Sequence, residues 1–153
     1  MALENLDSSI HTWYSSKYGS LSEDNNEANT VKELGKGKEN TKKMKDMWNE
    51  DADTSKSEND VWKVIQDAGV DLDNWYVPSR AEWAAFGDFC YTKLDPKMDT
   101  RNYSNRGLTA SYWSSSQKTT RAACSAEFGR GGYIYISSGV GLNTVRVRLG
   151  ATF

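Results

Sequence analysis

The chain has 153 residues, with 19 Lys and Arg against 21 Asp and Glu and a formal charge of −2; this is one domain's length and enough to bury a core. Charges of both signs are interspersed, so the signature of polyanion binding is missing and no nucleic-acid partner is expected. No apolar run reaches bilayer-spanning length, and the opening residues MALENLDSSIHTW have neither a basic start nor an apolar stretch, so neither membrane insertion nor a cleaved leader is expected.

Apolar residues make up 37% of the chain, yet six Trp, eight Tyr and four Phe concentrate that content in large side chains. Residues 1–35 are polar and loop-rich; Ile10–Gly19 could form one strand or a hairpin, and Leu21–Thr30 reads as a loop. Gly35-Lys-Gly-Lys38 lacks the spacing of a phosphate loop and reads as a turn. A first helix is predicted from about Asn40 to Asn49, with Met44, Met47 and Trp48 on one face. A second runs from about Glu58 to Ala68, capped by Ser57 or Asn59, with Val61, Trp62, Val64, Ile65 and Ala68 as its buried stripe and Gly69 as its stop. Asp71, Asp73 and Asn74 lack the turn glycine and distal Glu of a calcium loop and read as a turn. Trp75–Val77 is a short strand broken by Pro78, after which Ser79 and Glu82 have the spacing of a reciprocal capping box. The helix they open continues through Trp83, Ala84, Phe86 and Phe89 toward Cys90, and Ala84 and Ala85 are small enough to let it pack closely on a neighbouring layer. Lys93–Arg106 is polar and loop-like, and its Asn102-Tyr-Ser104 is formally a glycosylation sequon.

The last third carries the clearest pattern. Four runs alternate apolar and polar residues: Ala110–Ser116, Ala122–Phe128, Tyr133–Ser137 and Thr144–Leu149. Glycines at 129, 131 and 132 mark a hairpin turn between the second and third, and Gly139 and Gly141 loosen the connection to the fourth. The order of elements indicates an α+β fold in which two or three helices pack beside a twisted antiparallel sheet, as a single domain over 1–153.

Chemistry has little to build on. The one histidine, His11, sits in a weakly patterned stretch, no nucleophile elbow surrounds a serine, and the carboxylates are scattered through loops. Cys90 and Cys124 belong to no ligand pattern and are expected as buried free thiols. No catalysis, metal or cofactor is therefore expected. Tyr133 and Tyr135 alternate with Ile134 and Ile136 among Ser, Thr, Asn, Arg and Gly, the composition of adaptable binding surfaces; the same pattern also suits an ordinary sheet packed under a loop.

Four segments in order resemble a known family. Asn74-Trp-Tyr-Val-Pro-Ser-Arg-Ala-Glu-Trp-Ala84 resembles the W-x-x-P-[ST]-x-x-E-[WL] segment of formylglycine-generating-enzyme-like, C-type lectin-like domains. Gly107–Ser116 resembles their YWSSS strand, Val145–Leu149 their closing strand, and Glu39–Met44 the start of their first helix. Within that family the layout is similar to the variable proteins of diversity-generating retroelements. The resemblance implies a hypervariable recognition surface over about residues 114–146 for a macromolecular ligand, most simply a protein. The candidate contacts it implies are Gln117, Thr119, Thr120, Ser125, Arg130, Tyr133, Tyr135, Ser137, Ser138, Leu142 and Asn143. Tyr112, Trp113, Phe128, Val145 and Val147 would be fixed scaffold, Tyr133 and Tyr135 aromatic anchors, and Arg130 a charged contact. Cys90 and Cys124 do not match the family's reactive cysteine context, so oxidase activity is not carried over. A fixed-specificity lectin, adhesin or phage receptor-binding module is the alternative.

Overall fold

The computed structural model describes residues 1–2, 5–15, 32–54, 56–92, 108, 110–119, 122–128, 134–140 and 145–151, with the backbone alone for 90–92, 119 and 134–140. In chain order the elements are α1 (Gly37–Glu50), α2 (Val61–Asp67), β1 (Trp75–Tyr76), α3 (Arg80–Thr92), β2 (Ser111–Thr119), β3 (Ala122–Phe128), β4 (Ile134–Val140) and β5 (Gly150–Ala151). The class is α+β. Strands β2, β3 and β4 form one antiparallel sheet in that order, and β1 pairs with β5 in a second, two-stranded one.

Local chemistry sets the helix ends. Met44 and Trp48 are buried on α1, and the partly buried Met47 packs against the same core, as their helical spacing predicts. The helix has no basic residue in its last turn. Lys56 takes that role from beyond the helix: its Nζ donates to the carbonyls of Trp48 (2.7 Å) and Asp51 (2.6 Å) and lies 4.2 Å over the Trp48 ring. α2 ends in a Schellman motif, with Gly69 N–H bonded to Gln66 O (3.0 Å) and Val70 N–H to Ile65 O (3.2 Å). Gly69 adopts the positive φ of 62° that this motif needs. Its N-cap is Asp60, not Ser57 or Asn59. The predicted stripe holds at Val61, Trp62 and Ile65, whereas Val64 is half-buried and Ala68 exposed. At α3 the capping box forms: Ser79 N–H donates to Glu82 Oε2 (2.6 Å) and Glu82 N–H to Ser79 Oγ (3.2 Å). Ala84 and Ala85 point to solvent; Trp83 and Phe86 carry the packing on the sheet.

Strand β2 is covered on both faces. Because successive strand residues point to opposite sides, Tyr112 and Trp113 enter different cores. Tyr112 joins Trp83, Leu108 and Ala126 under α3, with Phe86 and Phe128 at the margin. Tyr112 stacks on Trp83 at 5.6 Å between ring centroids, and Phe128 meets both edge-on at 5.7 Å. Trp113 enters the larger core with Trp13, Trp48, Trp62, Met44, Ile65 and Val147. The polar N-terminal stretch thus supplies one of the most buried side chains, Trp13, edge-on to Trp62 at 5.5 Å.

Between Trp113 and Gln117 the register of β2 against β3 slips, so that Ser114–Ser116 stand against the single Cys124. This bulge ties the layers together. Ser115 N–H donates to Pro78 O (2.9 Å), Arg80 N–H to Ser116 Oγ (3.0 Å), Trp13 Nε1 to Ser114 O (3.0 Å) and Trp83 Nε1 to Trp113 O (3.2 Å). A second polar junction centres on Asp60, which is fully buried. Its carboxylate accepts from Thr12 Oγ1 (2.5 Å), Ser15 N–H and Oγ (3.0 and 2.9 Å), Trp48 Nε1 (3.1 Å) and Ser57 N–H (3.3 Å).

The predicted closing strand Thr144–Leu149 is not a continuous strand. Its described part is threaded between the N-terminal segment and β2 by single bridges, Val145 to His11 and Arg146 to Tyr112. Further bonds run from Leu6 N–H to Val147 O (2.9 Å) and from Ala2 N–H to Leu149 O (2.8 Å), and regular pairing resumes only in β5. The expected alternation also changes: Arg148 is only 2% exposed, its Nε donating to Asn5 Oδ1 (3.1 Å) and its guanidinium 5.6 Å from the centroid of the Tyr112 ring.

Candidate functional site

The expected recognition surface is centred on β3 and β4, whose register is unbroken from Ala122↔Val140 to Phe128↔Ile134. That pairing brings candidate positions together: Ser137 opposite Ser125, Ser138 opposite Cys124, and Tyr135 opposite the exposed Glu127. Thr119 ends β2 beside Ala122. Thr120, Arg130, Tyr133, Leu142 and Asn143 lie outside the described residues, as do the turn glycines 129, 131 and 132.

Two candidates require correction. Gln117 and Ser125 are 1% and 4% exposed, so neither stands on an open surface. Alternation by itself sends every second side chain of a strand away from one face, but it does not say whether the other face is wet. Here β2 runs between α1 and α3, and both its faces are packed. The buried-thiol expectation fits at Cys124, which is 1% exposed. Burial pushes its thiol up, against the opposing charges of Lys32, Arg80 and Lys118, which makes it a poor nucleophile. The side chain of Cys90 is not described.

One polar cluster was not legible beforehand. His11, expected in a weakly ordered stretch, is 2% exposed, with Nδ1 2.8 Å from Asn59 Oδ1 and Nε2 2.9 Å from Asp7 Oδ1. The spacing of Asp7 and His11 hinted at half of it; Asn59, 48 residues on, gave no local signal. Among the described residues, no group of three His, Cys, Asp or Glu is placed to hold a metal ion. No helix among them is long and apolar enough to cross a membrane.

A cleft of about 270 Å³ opens between the N-terminal segment, the end of α2 and β1, walled by Leu6, Val70, Trp75 and Leu149. Trp75 is 37% exposed, whereas the other five tryptophans are at most 6% exposed. The polar side chains on its wall are engaged with neighbours: Asp71 accepts from Asp73 N–H (3.0 Å) and Asn74 Nδ2 (2.6 Å), and Asn5 accepts from Arg148. It is an apolar surface without a built polar contact.

No protein-family model, no curated protein and no solved structure matches this chain.

Proposed function

We propose that this chain is a ligand-recognition protein on a C-type lectin-like scaffold, whose residues of about 114–146 form a hypervariable surface for a macromolecular ligand, most simply a protein. One observation carries the reading. The segments that bear the resemblance bond directly to one another: Pro78 and Arg80 to Ser115 and Ser116, and Trp113 N–H to Arg146 O at 3.0 Å. They make a frame whose polar groups are committed inward, and the β3–β4 hairpin extends from it. A frame of this kind tolerates change in outward side chains of the hairpin, which typically costs within about 0.5 kcal/mol. With Gln117 and Ser125 inside, the contact set reduces to Thr119, Thr120, Arg130, Tyr133, Tyr135, Ser137, Ser138, Leu142 and Asn143. Tyr133 and Tyr135 serve as anchors, and the small polar residues as adaptable hydrogen-bonding groups. The burial of His11 and Cys124 favours binding over catalysis.

The test is sequencing of the coding locus across many cells or phage of one population. Substitutions confined to 114–146 and restricted to template adenines are expected, sparing the Gln117 and Ser125 codons. An invariant stretch with no reverse transcriptase nearby would leave a binder of fixed specificity and end the hypervariable reading.

A further inference from the structure

The two outer edges of the three-stranded sheet differ. Along β2, Trp113 N–H donates to Arg146 O (3.0 Å) and Arg146 N–H to Ser111 O (3.1 Å), and farther on Ser115 N–H donates to Pro78 O (2.9 Å). The bulge at Ser114–Ser116 interrupts what remains of that edge. Strand β4 bounds the other side. All 7 of its residues pair with β3 in unbroken register, from Ala122↔Val140 to Phe128↔Ile134. Among the described residues, no strand or bridge pairs with its outer side. Every second residue of an antiparallel strand turns its N–H and C=O away from a given neighbour, so β4 directs a row of such groups outward.

Sheet proteins ordinarily blunt an edge of this kind with a charge, a proline or a bulge. Ile134-Tyr-Ile-Ser-Ser-Gly-Val140 has none of the three. We propose that β4 is a dimerisation edge, pairing antiparallel with β4 of a second copy about a two-fold axis at Ser137, so that the two sheets become one. The partner is a second copy because the strand is complementary to itself. About that axis Ile134 meets Val140, Tyr135 meets Gly139, Ile136 meets Ser138, and Ser137 meets its own equivalent. β-Branched residues oppose each other at the ends, an aromatic residue opposes the glycine whose backbone is otherwise uncovered, and no charge meets its like.

The register also keeps the layers in line. Ile134 and Ile136 stand opposite Phe128 and Ala126, on the side of the sheet that meets α3. Residues directly opposite in a ladder share a face, so the axis at Ser137 continues that side from one copy into the other. A slip of one residue would turn the second copy over and set its α3 side against the opposite side of the first. The bonds that join the copies belong to the backbone, and the inference therefore stands apart from the hypervariable reading of 114–146.

Sedimentation equilibrium of the full chain tests this. A reversible monomer–dimer equilibrium is expected between about 1 μM and about 1 mM protein, since a single strand edge makes a small interface. Ser137→Lys sets like charges opposite each other at the axis and should raise the dimer dissociation constant by at least about tenfold, as should Ser137→Glu. Mixing the two variants should restore association as a heterodimer, because lysine then meets glutamate. Amide exchange supplies a reading that needs no variant: between Tyr135 and Gly139, alternate amides should gain protection as the dimer forms. A chain that stays monomeric to about 1 mM, a dimer indifferent to both charges, or charge variants that remain apart when mixed would overturn the proposal. So would β4 amides that gain protection only when an extended peptide of another protein is added.

Discussion

Asp60 shows how one side chain can set the position of several segments. Its carboxylate collects donors from Thr12, Ser15, Trp48 and Ser57 with no exposure to solvent. Replacement by alanine would strand those donors, each at a cost of about 1–3 kcal/mol where water cannot reach. Asp60→Ala should therefore lower stability by at least about 2–3 kcal/mol in urea unfolding, the cost of two or more such stranded donors. A loss below about 1 kcal/mol would mean that water replaces the carboxylate. Gly37 makes a second test, because two effects there have opposite signs. Gly→Ala inside an exposed helix ordinarily gains about 1 kcal/mol. At Gly37 the added methyl would collide with Glu82 Oε2 and stand 2.7 Å from Tyr76 Cδ2. Overpacking of this kind costs about 1–3 kcal/mol, so Gly37→Ala is expected to destabilise, with a lower unfolding midpoint.

Among the elements, α3 depends most on its first turn. Ser79 caps Glu82 N–H at 3.2 Å and also donates to the Glu33 carbonyl at 2.7 Å. Ser79→Ala removes both and should cost about 1–2 kcal/mol, the upper part of the N-cap range. Its signature would be faster amide exchange in the first turn of α3, with that of α1 unchanged. The same helix shows which local signals carry. Ser79 and Glu82 are three residues apart and satisfy each other, so the capping box was readable from the chain. Strand β3 also falls on the predicted Ala122–Phe128, because its alternation is bounded by turn residues at one end. Ala84 and Ala85, small enough to allow close packing on a neighbouring layer, lie on the exposed face of α3. Small size permits close approach but does not direct it, and Trp83 and Phe86 bury far more apolar area on the other side.

Across the whole molecule, the ends of the chain carry its closure. Ala2, Leu6 and His11 bond to Leu149, Val147 and Val145, and Trp13 lies in the main core against Trp62. A chain lacking residues 1–15 would leave Asp60 without Thr12 and Ser15 and the core without Trp13. It should lose its cooperative thermal transition, since a buried tryptophan (about 3–5 kcal/mol) and stranded hydrogen bonds (about 1–3 kcal/mol each) together are comparable to a domain's usual margin of about 5–15 kcal/mol. A truncated protein that still unfolds cooperatively near the full chain's midpoint would show that the N-terminal segment is dispensable.

Periods, caps and turn residues were enough to read three helices, the β2–β3–β4 meander and the α+β class, because each depends on neighbours within a few positions. The strongest exceptions are contacts between residues far apart in sequence. Nothing near Trp13 marks it as core, nothing near Asp60 marks it as a junction, and Asn59 gives no sign of facing His11. The burial of Gln117 and Ser125 belongs to the same group. Strand alternation separates two sets of side chains, but only the docking of α1 and α3 against β2 makes both sets interior. Val145–Leu149, too, has a strand's pattern and bonds on both sides, yet its partners are single positions on two different segments, so regular pairing waits for β5. Local periodicity follows from backbone geometry and is written along the chain; burial follows from which surfaces meet, and that is set only when distant segments pack.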